Sequence, residues 1–99
     1  MNLKFKDWKG KEIINICKKN LLNQIKSLPT NEGNFQIVKR DDGLVLQWVN
    51  LGEDVLRVEK VVSSDEIYFI PLKKEYMDSL VNLLFMNNDL KSLPWRKIK

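Results

Sequence analysis

The chain has 99 residues, of which 43% are hydrophobic and 30% charged, with a formal net charge of +4, one cysteine and no histidine. This length allows one compact core, and the composition is that of a globular protein rather than a disordered or disulfide-framework chain. The absence of histidine removes the commonest general base, the usual metal ligand and every nucleophile pair that depends on histidine.

An amphipathic helix is predicted over residues 12–28. Its apolar side chains recur at steps of three and four, which places them on one face. That apolar stripe comprises Ile13, Ile14, Cys17, Leu21, Ile25 and Leu28, and the opposite arc carries Lys11, Lys18, Lys19 and Lys26. We expect Cys17 to be a buried core residue, not a reactive thiol. Pro29 ends the helix, because a proline disfavours helical geometry in the preceding residue.

After a turn at residues 29–34, period-two alternation predicts four strands at residues 35–40, 44–49, 54–62 and 67–72. The first two flank Asp41-Asp42-Gly43, a loop whose final glycine suits the left-handed backbone of a bulged hairpin. The connections are too short for parallel crossovers, so we expect an antiparallel meander. Trp48 alternates in phase with Leu46 and is expected in the core. Residues 3–5 could add a short N-terminal strand.

A second helix is predicted over residues 73–88. Its C-terminal half is apolar nearly all the way round, so it needs cover from the first helix, the tail or a second copy of the chain. The order α-β-β-β-β-α predicts an α+β fold, in which a four-stranded antiparallel meander is flanked by an N-terminal and a C-terminal helix. Both helices pack on one face, or one on each. We predict a single domain over residues 1–99, with a basic tail over residues 91–99.

Charge is distributed unevenly along the chain. Residues 1–28 carry +5, residues 29–72 carry −4 and residues 73–99 carry +3. The strand region is therefore predicted to be acidic, and the helices and termini basic. Because a nucleic-acid interface must be basic, the helices and termini are the better candidates for contacting phosphates.

Three acidic pairs stand in or beside predicted turns, where aspartate commonly serves local hydrogen bonding. These pairs are Asp41/Asp42, Glu53/Asp54 and Asp65/Glu66. They are our candidates for binding a protein partner whose own groove is basic. Trp8 and Trp95 lie among basic residues near the termini, where they either close the ends of the core or anchor a partner.

The function predicted from these features is that of a small non-enzymatic interaction protein. It would be an inhibitor, adaptor or accessory factor of the kind carried by phages, binding a protein such as a nucleic-acid-handling enzyme, with homodimerisation as a further option. The alternative is a nucleic-acid-binding protein that uses Lys11, Lys18, Lys19, Lys26, Trp8, Trp95, Arg96 and Lys97. We expect no cofactor, no metal and no membrane span. A lone cysteine favours a reducing compartment, hence the cytoplasm.

Overall fold

The computed structural model describes residues 2–30 and 33–99, so Asn31 and Glu32 of the predicted turn lie outside the described residues. The strands are β1 (Leu3–Asp7), β2 (Glu12–Ile13), β3 (Phe35–Arg40), β4 (Val45–Asn50), β5 (Val55–Ser63), β6 (Glu66–Lys73) and β7 (Arg96–Lys97). The helices are α1 (Lys18–Lys26) and α2 (Met77–Phe85), and a 3-10 turn at Lys74–Tyr76 leads into α2.

All the strands belong to one antiparallel sheet of seven, in the order β2-β1-β3-β4-β5-β6-β7. The predicted four-stranded meander flanked by two helices is therefore wrong, although the architecture is still of the α+β type. The four predicted strands are present as β3 to β6, in the middle of the sheet. The outermost strands β2 and β7 have two residues each, which is too few to show a period in the sequence.

The first helix is shorter than predicted, because the sheet uses the segment before it. Glu12–Ile13 pairs with β1 instead of beginning a helix. Cys17 caps α1, with its Sγ accepting a hydrogen bond from the Asn20 amide at 3.5 Å. The prediction of a buried Cys17 is wrong, because this residue is exposed. Ile14, assigned to the same apolar stripe, is 72% exposed, whereas Ile16 is buried.

The second helix ends at Phe85, and its wide apolar surface is covered from two sides. α1 packs against it, and the tail folds back so that Leu90 is fully buried while Leu93 and Trp95 contact the core. Both helices contribute to a single core, so they lie on the same face of the sheet. Of the two arrangements predicted, the one-sided arrangement is therefore the one observed.

The two faces of the sheet differ in their cover. Alternate residues of the long strands are buried beneath α1 and α2, and the predicted inward direction of Leu46 and Trp48 is confirmed. The opposite face, called here the open face, is covered by neither helix within the described residues. By register it comprises Lys4, Lys6, Glu12, Phe35, Ile37, Lys39, Val45, Gln47, Val49, Val55, Arg57, Glu59, Val61, Ile67, Phe69, Pro71, Lys73 and Arg96.

Strand β3 holds both helices in place through buried polar side chains. Gln36 Nε2 donates to the carbonyl of Gln24 in α1 at 2.9 Å, and Arg40 Nη1 donates to the carbonyl of Leu84 in α2 at 3.1 Å. The bond to Leu84 is buried, in an environment where a carbonyl is normally satisfied by an internal donor. The helices thus cover the inner face, whereas solvent reaches the open face.

Candidate interaction surface

The open face is apolar in its middle, although solvent reaches it. Its apolar side chains are half-buried by their neighbours, and none belongs to the core beneath the helices. They are Phe35, Ile37, Val45, Val49, Val55, Val61, Ile67 and Phe69. An antiparallel sheet with one solvated face normally alternates apolar and polar residues, whereas strands that are apolar on both faces are typical of sheets covered on both sides. The open face of β4 to β6 is therefore more apolar than a solvated sheet face usually is.

A polar network lies at the centre of the open face. Gln47 on β4 and Phe69 on β6 both stand opposite Glu59 on β5. The Gln47 amide donates to Glu59 Oε1, and Arg57 Nε lies 3.0 Å from Glu59 Oε2. The Arg57 guanidinium lies over Phe69, with its Cζ 4.5 Å from the ring centroid. Glu59 is therefore neutralised by its own neighbours.

The Arg57 guanidinium is less well satisfied than the carboxylate beside it. Its Nε is buried and forms the ion pair with Glu59, yet it has no hydrogen bond of acceptable geometry. The distance alone would suggest a bonded pair, but hydrogen bonding also requires the N–H to point at its acceptor. Arg57 is 35% exposed, so part of its side chain is accessible to solvent.

Basic side chains border the apolar middle on both sides. Lys4, Lys6 and Lys39, called here the lysine edge, lie on β1 and β3, with Lys4 directly opposite Lys39. Lys4 Nζ is 3.5 Å from Glu12, the one carboxylate of the open face near them. Arg96 on β7 borders the other side, opposite Phe69.

The open face is basic, even though its central strands belong to an acidic stretch of sequence. It carries six basic residues and two acidic ones, Glu12 and Glu59. The charge of −4 counted over residues 29–72 comes mainly from the turns. The expectation that the strands form an acidic surface therefore does not describe the open face.

The six acidic candidates are divided between opposite ends of the sheet. The β3–β4 and β5–β6 turns lie at one end and the β4–β5 turn at the other, as the antiparallel registers require. The first end carries Asp41, Asp42, Asp65 and Glu66, and the second carries Glu53 and Asp54. The six carboxylates therefore do not form one surface.

Asp42 has a structural contact that the sequence did not reveal. Its Oδ1 accepts from Arg40 Nε at 2.9 Å and its Oδ2 lies 2.8 Å from Arg40 Nη2, although Arg40 is almost fully buried. The Leu44 amide also donates to Oδ1, at 3.2 Å. The hydrogen bond from Arg40 is the main reason why the pKa of Asp42 is lowered from its ordinary value. Asp42 therefore serves as the counterion of a buried arginine.

The lowered pKa of Asp42 predicts acid-sensitive stability. A carboxyl group whose pKa is depressed by folding stabilises the native state above its unfolded pKa, about 3.9 for aspartate, and this contribution is lost as pH falls through the folded pKa. We expect Asp42→Asn to be less stable than the parent at pH 7, with the difference narrowing below about pH 4. Urea denaturation at pH 7, 5, 4 and 3 measures this. If the difference in free energy of unfolding stays constant across the pH series, Asp42 is not the counterion of Arg40. Asp65→Asn, which makes the same change in another turn, serves as the control.

Two other acidic candidates also contact neighbouring residues. Asp41 Oδ2 accepts from the Asn2 amide at 3.2 Å. Glu66 Oε2 accepts from the Tyr68 hydroxyl at 2.5 Å, and this bond raises the pKa of Tyr68. These contacts take up part of the acceptor capacity that a partner would need.

The third acidic pair lies beside an open cavity. Glu53 and Asp54 adopt left-handed backbone with φ of 52° and 61°, directly after Gly52. With Lys26 and Lys74 they line a cavity of about 640 Å³ between the β4–β5 turn and the two helices. Lys74 Nζ already donates to the Lys26 carbonyl at 3.3 Å. Acidic and basic groups are mixed around this cavity, so it has no single charge with which to select a ligand.

The nucleic-acid candidates are spread over three places. Lys18, Lys19 and Lys26 lie on α1, Lys11 and Trp8 in the β1–β2 turn, and Trp95, Arg96 and Lys97 at the opposite edge of the sheet. The prediction that Lys11 belongs to the helical arc is wrong, because its amide donates to Asp7 Oδ1 in that turn. These residues therefore form no continuous basic surface.

The terminal tryptophans pack against the core. Trp95 Nε1 donates to the Leu90 carbonyl at 2.8 Å, and the Trp95 ring is half-buried. Trp8 is also half-buried, with Lys9 Nζ 5.7 Å from its ring centroid. Both rings contact the core, as expected of residues that close its ends.

Sequence reasoning missed the open face, although two signals were present. Leu-Lys-Phe-Lys-Asp at residues 3–7 alternates apolar and basic side chains, which is the pattern of a strand with a lysine-bearing outer face. In β4, Val45 and Val49 are apolar on the side opposite Leu46 and Trp48. A second apolar side of this kind is typical of strands in sheets that are covered on both faces.

Some sites are absent from the part of the chain that the structure describes. Across residues 2–30 and 33–99, no group of three or more aspartate, glutamate or cysteine side chains is placed to hold a metal ion. Over the same ranges, neither helix has the length and apolar composition needed to cross a membrane. No protein-family model, curated protein or solved structure matches this chain.

Proposed function

We propose that this chain is a small non-enzymatic interaction protein that binds a protein partner through its open face. The observation that carries the proposal is the apolar middle of a sheet face that the protein's own helices do not cover. A large contiguous apolar patch on a solvent-facing sheet is more often an interaction site than an incidental feature of the surface. An apolar centre with a charged rim is also the usual anatomy of a protein interface.

The acidic turns support this proposal less well than the open face does. They are split between two ends of the sheet, and Asp42 is the counterion of a buried arginine. The β5–β6 end keeps Asp65 together with Val62, which is 57% exposed. That end is a smaller candidate surface for a basic partner, such as the groove of a nucleic-acid-handling enzyme.

The proposal predicts that a charge placed in the apolar middle abolishes capture of the partner. The variant Ile37→Glu/Val49→Glu is expected to fold, because both side chains are only half-buried. Burying two carboxylates without partners costs several kcal/mol, enough to weaken binding by about a hundredfold or more. The measurement is capture from a nuclease-treated extract of the native cells, quantified by mass spectrometry.

The matched control places the same charges outside the open face. Ile14 and Met86 are 72% and 74% exposed, so Ile14→Glu/Met86→Glu changes charge and apolarity equally without touching the open face. A protein partner kept by the control and lost by the open-face variant supports the proposal. If every captured protein is retained by both variants, the open face is not the interaction surface. Loss of capture on nuclease treatment favours nucleic acid instead.

A further inference from the structure

We propose that the open face binds an apolar protein surface bordered by carboxylates, rather than a second copy of this chain or a nucleic acid. The inference rests on the proposed function and adds the chemistry of the partner. Three features carry it: the lysine edge, the donors of Arg57, and the basic character of both borders of the open face. Within the described residues, the basic groups of these features are not all paired with acceptors.

The lysine edge places like charges against each other. Lys4 and Lys39 are directly opposite on neighbouring strands, an arrangement that destabilises a sheet because their side chains are close. Glu12 stands directly opposite Lys6, but its carboxylate lies 3.5 Å from Lys4 Nζ. Within the described residues, Lys6 and Lys39 form no ion pair. Carboxylates on a partner would relieve this repulsion on binding.

Arg57 offers donors at the centre of the same surface. Its guanidinium is fixed by Phe69 and Glu59, so little side-chain freedom remains to be lost on binding. A planar guanidinium that is already held in place binds a carboxylate through two parallel hydrogen bonds. The apolar residues around it exclude water from such a pair.

Charge disfavours a face-to-face dimer of this chain. In a symmetric pair, the lysine edge of one copy would lie over the lysine edge or over Arg96 of the other, depending on the direction of the two-fold axis. Both arrangements bring basic groups together, since the open face has six basic residues and two acidic ones. Glu59 cannot compensate, because Gln47 and Arg57 already contact it.

The centre of the open face also lacks a stacking platform for bases. Single-stranded nucleic acid is bound by accessible aromatic planes along a basic path. The two aromatic residues here, Phe35 and Phe69, lie on β3 and β6 with two strands between them. Arg57 covers the ring of Phe69. The remaining surface is aliphatic, which suits the side chains of a protein.

The test is selection of binders from a displayed library of a small three-helix scaffold, randomised over the exposed face of one helix. Selection is made on the wild-type protein, with removal of clones that also bind Ile37→Glu/Val49→Glu. We expect the selected helices to combine apolar residues with aspartate and glutamate. Their affinity should fall about tenfold or more for Lys6→Glu/Lys39→Glu. The variant Lys18→Glu/Lys19→Glu makes the same charge change on α1 and should bind normally.

The other outcomes separate this inference from the proposed function. If the binders of the open face are neutral or basic, the proposal that the partner carries carboxylates is wrong. The open face would still be a protein-binding surface. If no selected clone depends on the open face, the proposed function fails. A concentration-dependent dimer in sedimentation, abolished by Ile37→Glu/Val49→Glu, assigns the open face to a second copy. Binding of fluorescein-labelled oligo(dT) that is lost in the same variant assigns it to nucleic acid.

Discussion

Replacing Trp48 with alanine is expected to lower the free energy of unfolding by about 3–5 kcal/mol, the usual cost of removing a large aromatic side chain from a core. Trp48 is fully buried on the central strand β4. Its Nε1 donates to Gln36 Oε1 at 2.6 Å, and Gln36 in turn donates to the carbonyl of Gln24. The alanine variant loses both the packing and the support for the bond that holds α1.

The packing and the hydrogen bond can be separated by a second variant. Trp48→Phe keeps most of the apolar volume but leaves Gln36 Oε1 buried without its donor, which costs about 1–3 kcal/mol. Urea denaturation at neutral pH measures both variants. Trp95→Ala provides the comparison, because Trp95 is half-buried near the edge strand β7. If Trp48→Ala costs no more than Trp95→Ala, Trp48 is not the central core residue that its burial indicates.

Replacing Arg40 with methionine is expected to lower stability by about 1.5–3 kcal/mol, the usual contribution of a hydrogen bond to a charged group. The variant keeps an apolar stem of similar length but removes the charged donor to the Leu84 carbonyl. The Leu84 carbonyl still accepts from the Asn87 amide at 3.3 Å, so the loss is that of one hydrogen bond to a charged group. The end of α2 should loosen first, since this bond is its tie to β3.

A double-mutant cycle with Asp42→Asn tests whether Arg40 and Asp42 stabilise the fold as a pair. Asp42 contacts Arg40 through both carboxylate oxygens, so the substitution at Asp42 should have little further effect once Arg40 is replaced. Amide hydrogen exchange in α2 supplies an independent measurement of the loosened helix end. Additive effects of the two substitutions would show that the pair does not act as a unit.

The parts of the fold that depend on local sequence were predicted well. The β3–β4 hairpin follows from Asp41-Asp42-Gly43, and Gly43 has the left-handed φ of 96° that such a turn requires. The bounds of β3 were predicted correctly at residues 35–40. Turn chemistry and period-two alternation are encoded within a few residues, so they are visible without knowledge of the rest of the chain.

The parts that depend on distant contacts were not predicted. Glu12–Ile13 has a helical pattern in the sequence, but it pairs with β1 because that strand offers a free ladder of hydrogen bonds. Arg96–Lys97 pairs with β6 for the same reason. The candidate site was missed because charge was counted by segment. The acidic residues lie mainly in turns at the ends of the sheet, whereas alternation along the strands places basic residues on the open face.

The short outer strands determine how this molecule can associate. A sheet grows sideways into fibres when a long outer strand presents unpaired backbone to another chain. Here β2 and β7 are two residues each and bear Glu12, Arg96 and Lys97, so lateral growth meets little backbone and much charge. Pro71 in β6 contributes no amide donor to a further strand. The protein can therefore keep an apolar surface accessible while polymerisation through its sheet is suppressed.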